Sequence, residues 1–477
     1  MRVAIAGATG FIGRALVENL RVDHDVVGLS RAVPRGPAHA RVEWRACDLF
    51  SLLEAERGLA GADAAVYLVH SMTPSARLTQ GSFEDFDLIC ADNFARAAER
   101  AGVRHILYVS GIVPPDAHLS RHLESRREVE QALGARKVPI TTLRAGLVLG
   151  AGGSSFDIMV RLVERLPAMI GPSWTRSLTQ PIALGDVVRL LRHCLHDDDV
   201  RGRACDVGAP EVMTYAEMLR RTAAILGKPL RLLTIPFYTP RLSLLWVRVI
   251  TGAPMELVSP LVESLRHDMV ARDPEWLQER AGLVPTPFDA AMRTALADER
   301  AAKIAASVDH PRPTKKRKRD ASANRVRSVQ RLPLPAGWDA TRVAEEYASW
   351  LPRFLRPALH VEVDAARVCR FYVRALAKPL LEMSYAKDRS TPDRQLFYIT
   401  GGLLARAHAA DAPHRARLEF RVALGGRVVI AAVHDFVPSM PWFIYAVTQA
   451  LVHLWVMRAF GRHLGRIDAT VPKCAPA

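Results

Sequence analysis

The amino-acid sequence predicts an α/β chain: a doubly wound parallel sheet with a small substrate subdomain, followed by a separate α+β module. Three observations lead there. A short apolar strand, Val3–Ala6, runs into Gly7, Gly10 and Gly13 and then into a helix with the apolar stripe Ile12, Leu16, Leu20. Strand and helix patterns then alternate, which calls for parallel strands with helices on both faces. After Leu296 the pattern fades. Beyond a basic stretch, alternating strands give way to one long apolar run, Trp442–Met457.

The opening order of strand, glycine turn and helix builds a pyrophosphate site. The first glycine makes the tight turn, the second lets backbone approach the phosphates, and the third lets helix and strand pack closely. The helix N-terminus adds unpaired N–H groups and the positive end of its dipole. The residues expected around this anion are Gly7, Thr9, Gly10, Phe11, Ile12 and Gly13. Further strands are expected at Val26–Leu29, Val42–Arg45, Ala64–Val69, His105–Val109 and Ile140–Arg144, with helices at Ser82–Arg100 and Ser120–Leu133. Pro181–Val188 reads as a strand end followed by a helix capped near Asp186. Thr214-Tyr215-Ala216-Glu217 fits a capping box, opening a helix that stops around Gly227-Lys228-Pro229.

A chain of 477 residues has room for two or three domains, and 49% hydrophobic content describes a globular protein. The six cysteines are scattered with no CxxC spacing, which argues against a structural zinc or a disulfide framework and for a reducing compartment. No metal site is expected, and a cytoplasmic location is. The first strand starts at residue 2, so no leader is expected before it. The net charge of +16 is uneven: nine basic residues and one acid, Asp320, lie between Pro311 and Arg331. Residues 301–335 therefore read as an exposed basic linker between a domain at 1–300 and a module at 336–477. Lys315-Lys316-Arg317-Lys318-Arg319 has the look of an import or nucleic-acid tract, but nonspecific electrostatics accounts for it, and no specific nucleic acid is expected. In the last module, Arg417–Val422 and Arg427–Val433 joined through Gly425-Gly426 read as a hairpin.

With these residues in view, the first three hundred positions resemble the atypical, extended short-chain dehydrogenase/reductase superfamily, with its Rossmann-type sheet. Asp48 follows the third strand, Leu68-Val69-His70-Ser71 ends the fourth, Ser110 closes the fifth and Arg144-Ala145-Gly146 the sixth. Leu68–Met72, Leu143–Gly153 and Ile235-Pro236-Phe237 bring the chain nearest to the YbjT-like NAD(P)-binding proteins, and an accessory subunit of respiratory complex I looks like a more distant relative. Gly401–Arg406, Arg417–Phe420 and His434-Asp435-Phe436-Val437-Pro438 resemble a domain of unknown function related to START-like helix-grip folds. That resemblance implies a curved sheet and a long terminal helix around an apolar cavity.

The resemblance places Asp48 on an adenine ring and Leu68, Val69 and His70 beside a cofactor ribose. An NAD-preferring site usually ends its second strand with an acid. Here that strand ends in Ser30-Arg31, which suits a 2′-phosphate, so NADP(H) is expected, with NAD(H) as the alternative. Reductases of this superfamily use a Tyr-x-x-x-Lys pair with a Ser on the preceding strand. Ser110 is in place, but the tyrosine position carries His122 and the lysine position Arg126. Their i, i+4 spacing keeps both on one helix face, with His122 a proton donor near neutral pH and Arg126 a hold on ribose or oxyanion. Tyr67 and Tyr108 are expected in the core. Two functions follow: an oxidoreductase acting on an apolar or lipid-like carbonyl or quinone, with a lid from residues 151–175 and 228–295, or a cofactor-bound sensor or assembly factor without hydride chemistry. The oligomeric state stays open. Gln449 and His453 at i, i+4 in the terminal apolar run would orient an apolar ligand or pack against the sheet. This run, the amphipathic stretch Phe237–Arg248 and the basic linker together suggest peripheral contact with an anionic membrane, at its inner face.

Overall fold

The computed structural model describes residues 1–34, 39–70, 78–115, 119–166, 168–234, 263–308, 325–357, 359–365, 367–373, 376–406 and 415–470. Phe237–Arg248, Ile235-Pro236-Phe237 and Lys315–Arg319 lie outside the described residues. The chain divides into two units, Met1–Met72 with Asp87–Pro313 and Thr73–Phe86 with Thr314–Ala477.

In the first unit, β1 (Arg2–Ala6) leads into α1 (Phe11–Leu20), followed by β2 (Asp25–Ser30), β3 (Val42–Ala46), α2 (Leu52–Leu59), β4 (Ala64–Tyr67), α3 (Phe83–Ala101), β5 (His105–Gly111), α4 (Arg121–Leu133) and β6 (Ile140–Ala145). A later strand, β7 (Ala204–Val207), completes a seven-stranded sheet ordered β7-β6-β5-β4-β1-β2-β3. Every pairing in it is parallel. Strands buried on both faces carry apolar side chains continuously, and Val3, Ala4, Ile5, Val66, Leu107 and Leu143 are fully buried here. The strand order reverses between β1 and β4, and the crevice beyond the carboxyl ends of those strands is where such sheets bind ligands.

Local chemistry fixes the helix ends. Ser51, Ser120 and Thr214 cap α2, α4 and α7 (Tyr215–Leu226) by accepting the N–H three residues on, and Gly227 ends α7 in the left-handed region. Asp186 does not cap. It sits buried in the first turn of α6 (Leu184–Cys194), and its carboxylate accepts from Thr286 N and Oγ1 at 2.7 and 3.1 Å. A small subdomain gathers α5 (Ser154–Arg165), α7 and α8 (Phe288–Val308) around Phe156, Met159, Met218, Leu219, Phe288 and Met292.

The second unit is α+β with a mixed sheet. Its strands are β8 (Val326–Pro333), β9 (Leu359–Val363), β10 (Val368–Val373), β11 (Leu381–Tyr385), β12 (Arg394–Gly401), β13 (Arg417–Ala423) and β14 (Val428–Phe436). The order is β9 through β14, then β8, then the short strand Leu78–Gln80, which pairs parallel to β8 while all the other pairings are antiparallel. The expected hairpin is β13–β14, turning through Leu424, Gly425 and Gly426, all at positive φ. Helix α9 (Ala340–Phe354) meets the terminal helix over the sheet, with Tyr347 and Trp350 at 5.0 and 5.2 Å from the ring of Phe460. The terminal apolar run is two helices, α10 (Trp442–Val447) and α11 (Gln449–Thr470), broken at Thr448. His453 hydrogen-bonds Ser328 Oγ at 3.1 Å, tying α11 to the sheet.

The linker expected at 301–335 is shorter than the sequence suggested. Helix α8 continues to Val308, and β8 begins at Val326. Three of the basic residues assigned to the linker belong to the sheet region. Arg325 and Arg327 lie 3.9 and 3.1 Å from the buried Asp435, and Arg331 bonds Asp85 at 2.7 Å. They read as solvated charge because their partners lie far off in sequence.

Candidate active site: a glycine cradle and a buried polar cluster

The turn after β1 is built for close approach. Gly7 has φ +82°, and a Cβ there would stand 2.8 Å from the Leu68 carbonyl oxygen at the end of β4. A Cβ on Gly13 would stand 2.2 Å from Gly7 O, so only glycine lets α1 sit against the turn. Gly10 caps α1 without a side-chain hydrogen bond, and the first turn carries no acid. The amides of Phe11, Ile12 and Gly13 therefore face an end with positive polarity and no intrahelical acceptor. This cradle fits a diphosphate. Gly150 and Gly153 pack on Phe11, where a Cβ would come within 3.0 and 2.9 Å of its ring.

Thr9 and Ser30 approach each other at 3.5 Å between hydroxyls, and Arg31 is exposed just beyond β2. Asp48 is half-buried after β3. Its Oδ1 accepts the Phe50 N–H at 3.1 Å, and its own N–H is held by Glu54 at 2.9 Å. Leu68, Val69 and His70 follow β4 directly, all half-buried, so that strand stops two residues before the expected Val69.

At the ends of β4 and β5 the structure gathers a polar cluster. His70 Nδ1 pairs with Asp87 Oδ2 at 2.5 Å, and the His70 and His122 rings stand 5.2 Å apart. The Tyr67 and Tyr108 rings meet edge-on at 5.9 Å, both fully buried as expected. The Tyr108 hydroxyl donates to the Arg126 carbonyl at 3.5 Å. Ser110 is buried with its Oγ outside hydrogen-bonding geometry, near enough to Tyr108 to favour the phenolate. Burial opposes charge on Arg126, yet Tyr108 and Asp87 hold its guanidinium firmly protonated. Burial pushes Tyr67 and Tyr108 above the ordinary phenol value, against the opposing pull of the Arg126 charge on both.

One expectation is corrected. Burial, Arg126 and His70 push the His122 imidazole down to about 2, so it is neutral near pH 7 and is no cationic acid. It can still donate a hydrogen bond from a ring N–H. Asp87 was missed. It lies on a helix 17 residues from His70, and nothing local marks it as that residue's partner. Among the described residues no cluster of three or more His, Cys, Asp or Glu side chains is placed to hold a metal ion.

A parallel sheet with a glycine cradle at its switch point and a Ser-centred polar cluster beside it defines a dinucleotide-binding, dehydrogenase-like domain. Residues 7–161 match a family model described as NAD(P)H-binding. The first unit has a Rossmann fold and an NAD(P)H-binding match, and it is similar to short-chain dehydrogenase and epimerase-like proteins, reductases among them. It is similar to the auxiliary protein GraX of Staphylococcus aureus, 33% identical over 143 residues that make up 30% of this chain and 43% of that protein. It is also similar to the ceramide reductase of Caulobacter vibrioides, 28% identical over 49% of this chain and 73% of that protein. The first curated relatives are matched over less than half their own length. Among solved structures, the triphenylmethane reductase of a Citrobacter species shares the fold, with a TM-score of 0.50, 17% identity, and coverage of 62% of this chain and all of that one.

Proposed function

We propose that the protein is an NADP(H)-dependent reductase of an apolar carbonyl or quinone. The observation that carries this reading is the convergence of Ser110, His122 and Arg126 with the His70–Asp87 pair and two buried tyrosines at the strand ends next to the glycine cradle. The backbone of Gly7–Gly13 would hold the diphosphate, Leu68–His70 the nicotinamide ribose, Asp48 the adenine, and Arg31 with Ser30 the 2′-phosphate. When bound, the reduced nicotinamide supplies a hydride to the substrate carbon. Ser110 and neutral His122 donate hydrogen bonds to the substrate oxygen. Arg126 carries the positive charge that stabilises the developing oxyanion, which takes its proton from water because His122 stays neutral. Asp87 fixes the ring of His70 behind His122. The relative named a ceramide reductase supports an apolar substrate.

The test is stopped-flow oxidation of bound NADPH with quinones, ketones and aldehydes. Ser110→Ala and His122→Phe are each expected to lower turnover about a hundredfold while NADPH affinity holds. The absence of the usual Tyr/Lys pair supports a second reading, a cofactor-bound sensor. No substrate giving turnover above the buffer rate would decide for it. For cofactor choice, Arg31→Asp is expected to weaken NADPH at least tenfold, roughly, and to spare or improve NADH. Equal wild-type affinities for the two, measured by calorimetry, would overturn the NADP(H) preference.

A further inference from the structure

The second unit carries an apolar stripe that its core leaves outside. Along α10 and the start of α11, Phe443, Val447, Leu451 and Trp455 recur every fourth residue and are 72%, 67%, 56% and 50% exposed. Ile444 and Val452 widen the stripe. Beyond Trp455, Arg458, Arg462 and Arg466 follow at steps of three and four residues, all exposed. Between Trp442 and Ile467 there is no Asp or Glu. The exposed side of these two helices is thus apolar along α10 and the start of α11 and cationic along the rest of α11, with a tryptophan at the junction.

The opposite face is already committed. Tyr445, Ala450, Val456, Met457, Phe460 and Leu464 belong to the core of the unit. The segment Trp442–Asp468 is long and apolar enough to cross a membrane. Threading it through a bilayer, however, would strip those residues from the core. Lying in the plane of an interface keeps them in place. A contiguous exposed patch of large apolar side chains marks an interaction surface. The arginine row selects the partner: it suits phosphate head groups beside an apolar layer, whereas a second copy of this chain would bring like charges together.

We propose that this face is an interfacial anchor for anionic lipid bilayers. The stripe from Phe443 to Trp455 enters the boundary between head groups and acyl chains, and Arg458, Arg462 and Arg466 lie among the lipid phosphates. The anchor stands independently of the reductase reading, since no residue of the cofactor cradle or the polar cluster takes part.

The full-length protein is floated with vesicles of phosphatidylcholine alone and of phosphatidylcholine with phosphatidylglycerol. Flotation is expected with the anionic vesicles. Leu451→Asp with Trp455→Asp is expected to reduce it about tenfold or more, as is joint reversal of Arg458, Arg462 and Arg466 to Glu. Circular dichroism checks that each variant is folded, and Leu451→Ser with Val447→Ser replaces the first pair if it is not. Acyl-chain-brominated lipid is expected to quench part of the wild-type tryptophan fluorescence, a part missing from Trp455→Phe. Three results would each overturn the proposal: no flotation on anionic vesicles; flotation unchanged in the stripe variants, which would move binding to Lys315–Arg319; or a dimer in sedimentation that the stripe variants dissolve, which would give the face to a second copy.

Discussion

Gly10→Asp is expected to leave the fold as stable as before, or slightly more so, while removing NAD(P)H binding. Gly10 caps α1 in an extended conformation, φ −76° and ψ −179°, which any L-residue can adopt. An aspartate there accepts an N–H from Ile12 or Gly13, a cap worth only about a few tenths of a kcal/mol over glycine. The new Cβ meets Gly7 O at 3.1 Å, a tight contact that offsets part of the gain. Those same amides are the ones offered to the diphosphate, so the carboxylate both occupies and repels. Affinity should fall by at least about a hundredfold. Calorimetry and a thermal melt read the two effects separately. Gly13→Ala provides the contrast: its Cβ would lie 2.2 Å from Gly7 O, so stability and binding fall together. If Gly10→Asp keeps wild-type affinity, the diphosphate does not bind at this helix end.

Both units are expected to lose stability steeply between pH 7 and pH 5. Burial pushes His105 and His122 in the first unit to about 4 and about 2, and His434 and His453 in the second to about 4. These imidazoles are neutral in the folded state, while in the unfolded chain they take up protons near the ordinary value of 6.5. Below that pH the unfolded state binds more protons, so stability rises with pH. Each group removes about 1.4 kcal/mol per unit of acidification until its folded value is reached. From the two named groups in each unit alone, the expected slope approaches ~3 kcal/mol per pH unit. Farther down, the carboxylates of the second unit add to the loss. Burial opposes charge on Asp435, but Arg417 and Arg327 hold it at about 2, and Arg394 and Arg421 likewise lower Glu419. Their contribution is full above the ordinary carboxylate value and is lost as pH falls from there through the folded value, about 2 for Asp435. Urea unfolding at pH 7.5, 6.5 and 5.5 measures the slope, and a flat profile would mean that water reaches these rings.

The first unit's sheet was legible in the sequence because its information is local. Each strand is an apolar run bounded by polar turns, and Ser120, Thr214 and Gly227 mark helix ends by chemistry that acts within four residues. The glycine cradle was legible for the same reason. What stayed hidden depends on partners distant in sequence. Arg327 and Arg331 looked like solvent-facing charge until Asp435 and Asp85 were brought to them. Asp87 looked like one more helix acid until the fold set His70 against it. The spacing of His122 and Arg126 placed them on one face, but the imidazole's neutrality comes from burial, which spacing does not carry. The break at Thr448 was equally silent, since the flanking residues read as one continuous apolar run.

The strand Leu78–Gln80 closes the edge of the second unit's sheet beside β8, where Gln330 reaches the Gln80 carbonyl 250 residues away in sequence. During synthesis this strand leaves the ribosome long before its neighbour exists, and it must wait unpaired while most of the polypeptide is made. A fragment begun at Val326 would expose β8 as a bare template, open to pairing with other copies and prone to aggregation. The second unit's sheet is therefore closed by a stitch made early in translation and pulled tight only near its end.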